Sequence, residues 1–191
     1  MGNSNLHPEL IGKRFGFLTV LEYVPAPKTG GKHPSVICKC DCGNVKQIRL
    51  QHLRGRVNGE GRFGRTISCG CKKQSSSELL IEAILYENNI NYQTQYRIED
   101  DDIKKQPFDF AIFNDDGTIK CLLEYDGEQH YKPIGVWGGE AGLALTQARD
   151  AHKNEYCKKH NLKLVRIPYT DVLKLSWEYL VEKIPELGKV G

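Results

Sequence analysis

Residues 107–131 read PFDFAIFNDDGTIKCLLEYDGEQHY, and the second half of the chain is organised around them. Phe108 to Phe113 and Ile119 to Asp126 are runs of strand-forming residues, and Asp115-Asp116-Gly117 between them is a hairpin turn signal. Asp109 stands between two aromatic residues of the first strand. Glu124 and Asp126 stand two apart at the end of the second, so they share a face. A hairpin sets the strands side by side, which lets Asp109 and Glu124 converge. Carboxylates in the apolar middle of adjacent strands are costly unless a cation accompanies them. Hard oxygen ligands suit Mg2+, which also bridges to phosphate, so the pair is expected to hold it.

Outward from the hairpin, Glu78 to Asn88 is an apolar-rich helix, with Ser75 and Glu78 spaced as a capping box. Tyr92 to Glu99 is a strand. After a glycine-rich loop, a helix is expected over roughly Leu143 to His160, then a strand over Leu162 to Pro168. A last helix places Leu173, Trp177, Leu180, Val181 and Ile184 at helical spacing. The order is α-β-β-β-α-β-α.

The first part of the chain has another character. In residues 11–23, IGKRFGFLTVLEY, Phe15, Phe17, Thr19 and Leu21 alternate as in a half-buried strand. Strands are also expected over Val36 to Cys42 and Val45 to Leu50, separated by a Gly43-Asn44 turn, and the Gly/Arg-rich stretch from Arg54 to Arg65 reads as a loop. Five of the seven cysteines fall between Cys38 and Cys71. Cys38, Cys40 and Cys42 recur at period two, and Cys69 and Cys71 repeat that spacing, so both groups can aim at one point. Four thiolates make a closed structural zinc site, and Cys40, Cys42, Cys69 and Cys71 are the symmetric choice, with Cys38 as spare or competitor. Cys121 and Cys157 are isolated and read as core residues. Lys46, Arg49, Arg54, Arg56, Arg62 and Arg65 supply cations that can follow a phosphate backbone.

Charge divides the same way. Up to Ser77 basic residues outnumber acidic ones thirteen to four; beyond it acidic residues lead twenty to fourteen. The first balance fits a polyanion, the second fits carboxylates gathered round a cation. With 39% hydrophobic and 27% charged residues the chain is globular rather than a disordered tail. No apolar run approaches the ~20 residues of a membrane helix, and Met1 to Pro8 is polar without a signal-peptide pattern. The expectation is a cytoplasmic protein with no membrane partner.

Two resemblances sharpen this reading. The strings IGKRFGFLTVLEY, CKCDCGN and SCGC, within about residues 9–73, resemble the small N-terminal zinc modules of phage-encoded proteins, homing-type endonucleases among them. The stretch from Glu78 to Pro168 resembles the PD-(D/E)XK nuclease core, with the acid pair falling on Asp109 and Glu124. The motif's lysine, two residues after the second acid, is Asp126 here. The pattern is closer to the very-short-patch repair and EDxHD homing endonucleases, and in order Glu78, Asp109, His130 and Asp150 match the acids and histidine of the latter.

The resemblance implies an α/β (α+β) chain: a β-rich zinc module over 1–74, then a restriction-endonuclease-like αβββαβ core over 75–191. It implies a Mg2+-dependent endonuclease acting on double-stranded DNA, of phage or mobile-element homing type and residing in the host-cell cytoplasm. Glu78, Asp109, Glu124, His130 and Asp150 would be catalytic. A restriction or mismatch-nicking enzyme, and a non-catalytic DNA-binding protein, are the alternatives; an HNH nuclease ranks last. Nicking and double-strand cleavage, and monomer and homodimer, stay open. His130 can act as general acid or base, or be a hydrogen-bonded surface residue. Glu78 can be no more than a helix cap. Asp150 and Lys153 can form an ordinary ion pair one helical turn apart; alternatively Asp150 orients His130 and Lys153 replaces the motif lysine.

Overall fold

The computed structural model describes residues 7–27, 33–54, 56–58, 61–63, 66–72 and 74–188. The fold is mixed α/β with two four-stranded sheets, and the chain divides into two units, Met1–Ile84 and Leu85–Gly191. The division falls inside a helix, ten residues beyond the end of the 1–74 module that the resemblance implies.

In the first unit, β1 (Arg14–Phe15), β2 (Leu18–Val24), β3 (Ser35–Cys40) and β4 (Val45–Arg49) form an antiparallel sheet in chain order. The simple alternation expected for residues 11–23 is not what forms. Phe17, Leu18, Val20 and Tyr23 are buried, and Leu21 is 47% exposed. A turn at Gly16 separates Phe15 from Phe17, and a register shift between Val20 and Glu22 moves the strand's buried face by one residue. Gly16 sits at φ +60°, and a Cβ there would meet the Ile67 side chain at 2.7 Å, so only glycine fits. After α1 (Leu50–Arg54), the stretch expected to be loop contains a small antiparallel hairpin, β5 (Arg56–Asn58) with β6 (Gly61–Phe63). Leu18, Val20, Val36, Ile48 and Leu53 form the core, joined by Leu79 and Ala83 of α2 (Ser76–Glu87).

The second unit carries β7 (Tyr92–Tyr96), β8 (Phe108–Phe113) and β9 (Ile119–Asp126) as an antiparallel meander. The chain then crosses through α3 (Gly139–Lys159) and returns as β10 (Leu164–Pro168), parallel to β9. The sheet order is β10-β9-β8-β7, with α4 (Trp177–Lys183) capped by the Ser176 hydroxyl near the end of the chain. The αβββαβ order expected from the sequence is the order found. Helix α3 starts four residues earlier than expected. A Cβ on Gly142 would lie 1.8 Å from the Trp137 carbonyl oxygen, so glycine there lets the preceding loop fold onto the helix's first turn. Tyr156 and Cys157 of α3 pack with Phe108, Ala111 and Leu122. Strand alternation puts Glu124 on the same face of β9 as Leu122, beneath α3. No helix among the described residues is long and apolar enough to cross a membrane.

Leu122 is fully buried between the sheet and α3. Leu122→Ala is expected to cost about 2–5 kcal/mol in urea unfolding followed through the second unit. A cost well under about 1 kcal/mol would mean that α3 does not seal this face.

Candidate functional site

Two constellations stand out, one in each unit. In the first, the sulfurs of Cys40, Cys42, Cys69 and Cys71 lie within 4.8 Å of one another. Cys40 closes β3, and its N–H donates to the Asn44 carbonyl across the Gly43 turn, which swings Cys42 back toward Cys40. Gly70, at φ +101°, makes the matching turn between Cys69 and Cys71. The Cys42–Cys69 and Cys40–Cys71 sulfur separations are 3.4 and 3.9 Å. Tetrahedral coordination at ~2.3 Å requires sulfurs about 3.8 Å apart, whereas a disulfide needs ~2.05 Å. All seven cysteines are free thiols. The cluster can therefore hold a metal ion such as zinc. The Asn44 amide and then Cys42 donate toward Cys69 and pull its thiol down to about 6, which favours a ligating thiolate. Cys38 faces the core instead, and burial pushes its thiol up to about 11.

Of the basic residues proposed to meet DNA, Lys46 donates to the Cys69 carbonyl at 2.9 Å and so supports the cysteine cluster. Arg49 is exposed, three residues further along β4 and hence on its other face. The side chains of Arg54, Arg56 and Arg62, and the whole of Arg65, lie outside the described residues. Glu78 caps α2 in the first unit: its carboxylate accepts from the Ser75 N–H, and its N–H donates to the Ser75 hydroxyl, both at 3.3 Å.

The second unit holds a cleft of about 580 Å3 whose lining includes Glu124, His130, Asp150, Lys153, Arg149 and Trp137. Glu124 is 4% exposed. Lys153 of α3 donates to it at 2.7 Å and to the Pro107 carbonyl at 2.7 Å, and lies 5.0 Å above the Phe108 ring. Burial pushes the Glu124 carboxyl up and the Lys153 charge opposes that. Phe110 pairs with Leu123 in the β8–β9 ladder, so one step back Asp109 stands across from Glu124. The Asp109 carboxylate accepts the Tyr125 N–H at 2.8 Å, and Gln95 approaches it at 3.5 Å. The structure thus sets Asp109 beside Glu124, and Lys153 against Glu124.

His130 follows β9 on a short 3-10 turn, Glu128–His130. Its Nδ1 lies 2.7 Å from Asp150 Oδ2 and 3.7 Å from Asp126 Oδ1. Asp150 binds His130 and Arg166 while Lys153 binds Glu124, so the ordinary Asp150–Lys153 pair is not the arrangement found. Arg166 was missed in the sequence. It donates to Asp126 at 2.6 Å and Asp150 at 3.1 Å. Its signal was an arginine inside the apolar run LVRIP at 164–168. The hydrogen bond to Asp150 raises the His130 pKa against the opposing effect of burial. Burial works against the Asp150 charge, but the bond from His130 and the Arg166 cation outweigh it and hold Asp150 below the usual carboxylate range. Burial also raises Asp126, despite Arg166.

No family model matches this chain, and no solved structure matches it significantly. It is 38% identical over 55 residues to uncharacterized protein 094L of frog virus 3 (isolate Goorha), which covers 28% of this chain and 36% of that protein. It is 35% identical over 71 residues to uncharacterized protein 307L of invertebrate iridescent virus 6, covering 37% of this chain and 35% of that one. The chain spans about a third of the length of these relatives.

Metal analysis is expected to find one thiolate-bound ion per chain, with metal–sulfur distances of ~2.3 Å by X-ray absorption. Cys69→Ser should lose it and destabilise the first unit; a disulfide among the four cysteines would overturn the assignment. The His130–Asp150 bond predicts a pH dependence. A histidine with a raised folded pKa stabilises the fold fully below its ordinary value of 6.5 and loses that contribution as pH rises through the folded value. The destabilisation by Asp150→Asn should therefore be larger at about pH 5.5 than at about pH 8.5. Equal losses at both would show that His130 gains no charge-dependent stability from Asp150.

Proposed function

We propose that the chain is a metal-dependent endonuclease that hydrolyses phosphodiester bonds in double-stranded DNA. The observation that carries this reading is the buried Glu124–Lys153 pair, set beside Asp109 and opening on a cleft that also presents the His130–Asp150 pair. A buried ion pair is a poor device for stability alone, and perturbed charges gathered in a cleft are the usual mark of a reacting site.

Asp109 and Glu124 are the acids that would hold Mg2+, which would supply Lewis acidity against charge developing on the phosphodiester. Lys153 stands where a lysine is needed although the motif position is Asp126. Held by Glu124 and the Pro107 carbonyl, its ammonium reaches the cleft beside the acid pair and can stabilise a phosphate oxygen. With Nδ1 on Asp150, His130 keeps Nε2 for the substrate; its raised pKa suits it to protonate the leaving oxygen. Lys105 and Arg149 line the same cleft and offer cations to the flanking phosphates. In this reading the four-cysteine cluster binds zinc, and the first unit, with its basic excess, docks the DNA. Glu78 acts as a cap rather than a catalytic acid. The viral relatives favour a viral or mobile-element setting in a host cell.

A supercoiled-plasmid assay tests the proposal. Cleavage is expected with Mg2+ and none with EDTA. Asp109→Asn, Glu124→Gln and Lys153→Met should each lower the rate by at least on the order of a hundredfold, with DNA binding retained. His130→Ala should be slowed but keep measurable cleavage, since water can substitute in part for a general acid. Tight DNA binding without cleavage would favour the non-catalytic alternative. Near-parental cleavage by Asp109→Asn would place the active site elsewhere.

A further inference from the structure

Arg166 stands in β10 between Val165 and Ile167, opposite Glu124 in the parallel ladder, and its side chain is only 20% exposed. Its guanidinium engages three groups: Nε donates to Asn154 Oδ1 at 3.1 Å, Nη1 to Asp126 Oδ1 at 2.6 Å, and Nη2 to Asp150 Oδ1 at 3.1 Å. Asp126, His130 and Asp150 each offer a ligand atom within 4.8 Å of the others, a spacing that would suit a divalent ion. Two of the three already face a cation. Arginine suits this position where lysine does not, because its planar fork can span two carboxylates and does not lose its proton.

We propose that Arg166 is a positioning residue: its guanidinium is the resident cation of the Asp126–His130–Asp150 cage, fixing Asp150 against His130 and closing the cage to a divalent metal. Asp150 divides its oxygens, Oδ1 to Arg166 and Oδ2 to His130 Nδ1. That double engagement fixes the plane of the carboxylate, and the carboxylate in turn fixes the imidazole with Nδ1–H toward Asp150. Arg166 also neutralises Asp126, the acid two residues beyond Glu124, so that Asp126 is bound within the protein rather than added to a metal's ligands. The hard-metal site is then confined to Asp109 and Glu124. The role of His130 toward a substrate and the Asp109–Glu124 metal site rest on the nuclease reading; the cage stands without either.

Calorimetric titration of the full chain, its thiolate site loaded, with Mn2+ and no DNA tests the cage. The parent and His130→Ala are expected to take up the same number of Mn2+ ions. Arg166→Met should take up one more, lost again in the Arg166→Met/His130→Ala double variant and competed out by guanidinium ion far below denaturing concentration. Loss of a Mn2+ ion on His130→Ala in the parent would make the cage a metal site and overturn the proposal, as would no gain in a folded Arg166→Met. If that variant does not fold, Arg166→Lys decides. It keeps the charge but cannot bridge both carboxylates. The hydrogen-bonded Nδ1 proton of His130, expected downfield in the parent proton NMR spectrum, should disappear in the lysine variant. Its absence from the parent, or its persistence in Arg166→Lys, would equally overturn the proposal. None of these readouts involves DNA, so failure to cleave DNA would sink the nuclease reading and leave this one standing.

Discussion

Glu124 cannot be buried at 4% exposure without a cation, and the second unit is arranged to bring it one. An isolated carboxylate in an apolar interior would take a proton rather than stay charged. Lys153 supplies the counter-charge at 2.7 Å from one turn of α3, and this fixes the helix along its axis. Asp150 lies three residues earlier, about 4.5 Å back along that axis and on the same face, where His130 and Arg166 meet it. Asn154 and Cys157 continue the face onward to Arg166 and the core. A helix shifted by one residue would forfeit the Glu124 pairing and the His130 contact together.

The cluster's charge is closely balanced. Around His130, Asp126 and Asp150 bring two negative charges and Arg166 brings one positive charge. The fourth member, His130, makes the sum zero when protonated and leaves it at minus one when neutral. The raised pKa of His130 is the local expression of that balance, with Asp150 and Asp126 on one side of the ring and Arg166 opposing them. A cluster built this way sits one proton from neutrality, near the pH range where histidine titrates.

The hairpin carrying Asp109 and Glu124 was legible because strand period, turn chemistry and flanking aromatics all pointed the same way. The bounds of β8 and β9 are those read from the sequence. His130 and Asp150 were legible as residues, and their contact was one of two open readings. Arg166 was not, because an arginine in a strand says nothing about which two carboxylates it will reach across β9 and α3. In the first unit, β2 escaped the simple alternation because a register shift reverses parity without leaving a mark in composition. The β5–β6 hairpin escaped because its Gly and Arg residues carry no apolar alternation to detect. Glu78 was read both as a catalytic acid and as a cap, since the capping box and the acid of a nuclease helix use the same residue type; its hydrogen bonds are those of the cap.

The cysteines show where spacing stops deciding and environment takes over. Cys38 and Cys40 are two apart on β3 and both nearly inaccessible, so periodicity treats them alike. What separates them is the end of the strand. Beyond Cys40 the chain turns through Asp41, Cys42 and Gly43, and Arg14 holds Asp41 by its side chain, which braces the turn. Cys40 therefore lies against the incoming Cys69–Cys71 segment, whereas Cys38 lies one ladder step deeper, paired across β4 with Lys46 and packed among core residues. Burial raises the Cys38 thiol, and its sulfur is not among the four that lie within 4.8 Å of one another. The ligand set follows from which sulfurs can reach one point, and that depends on where β3 stops.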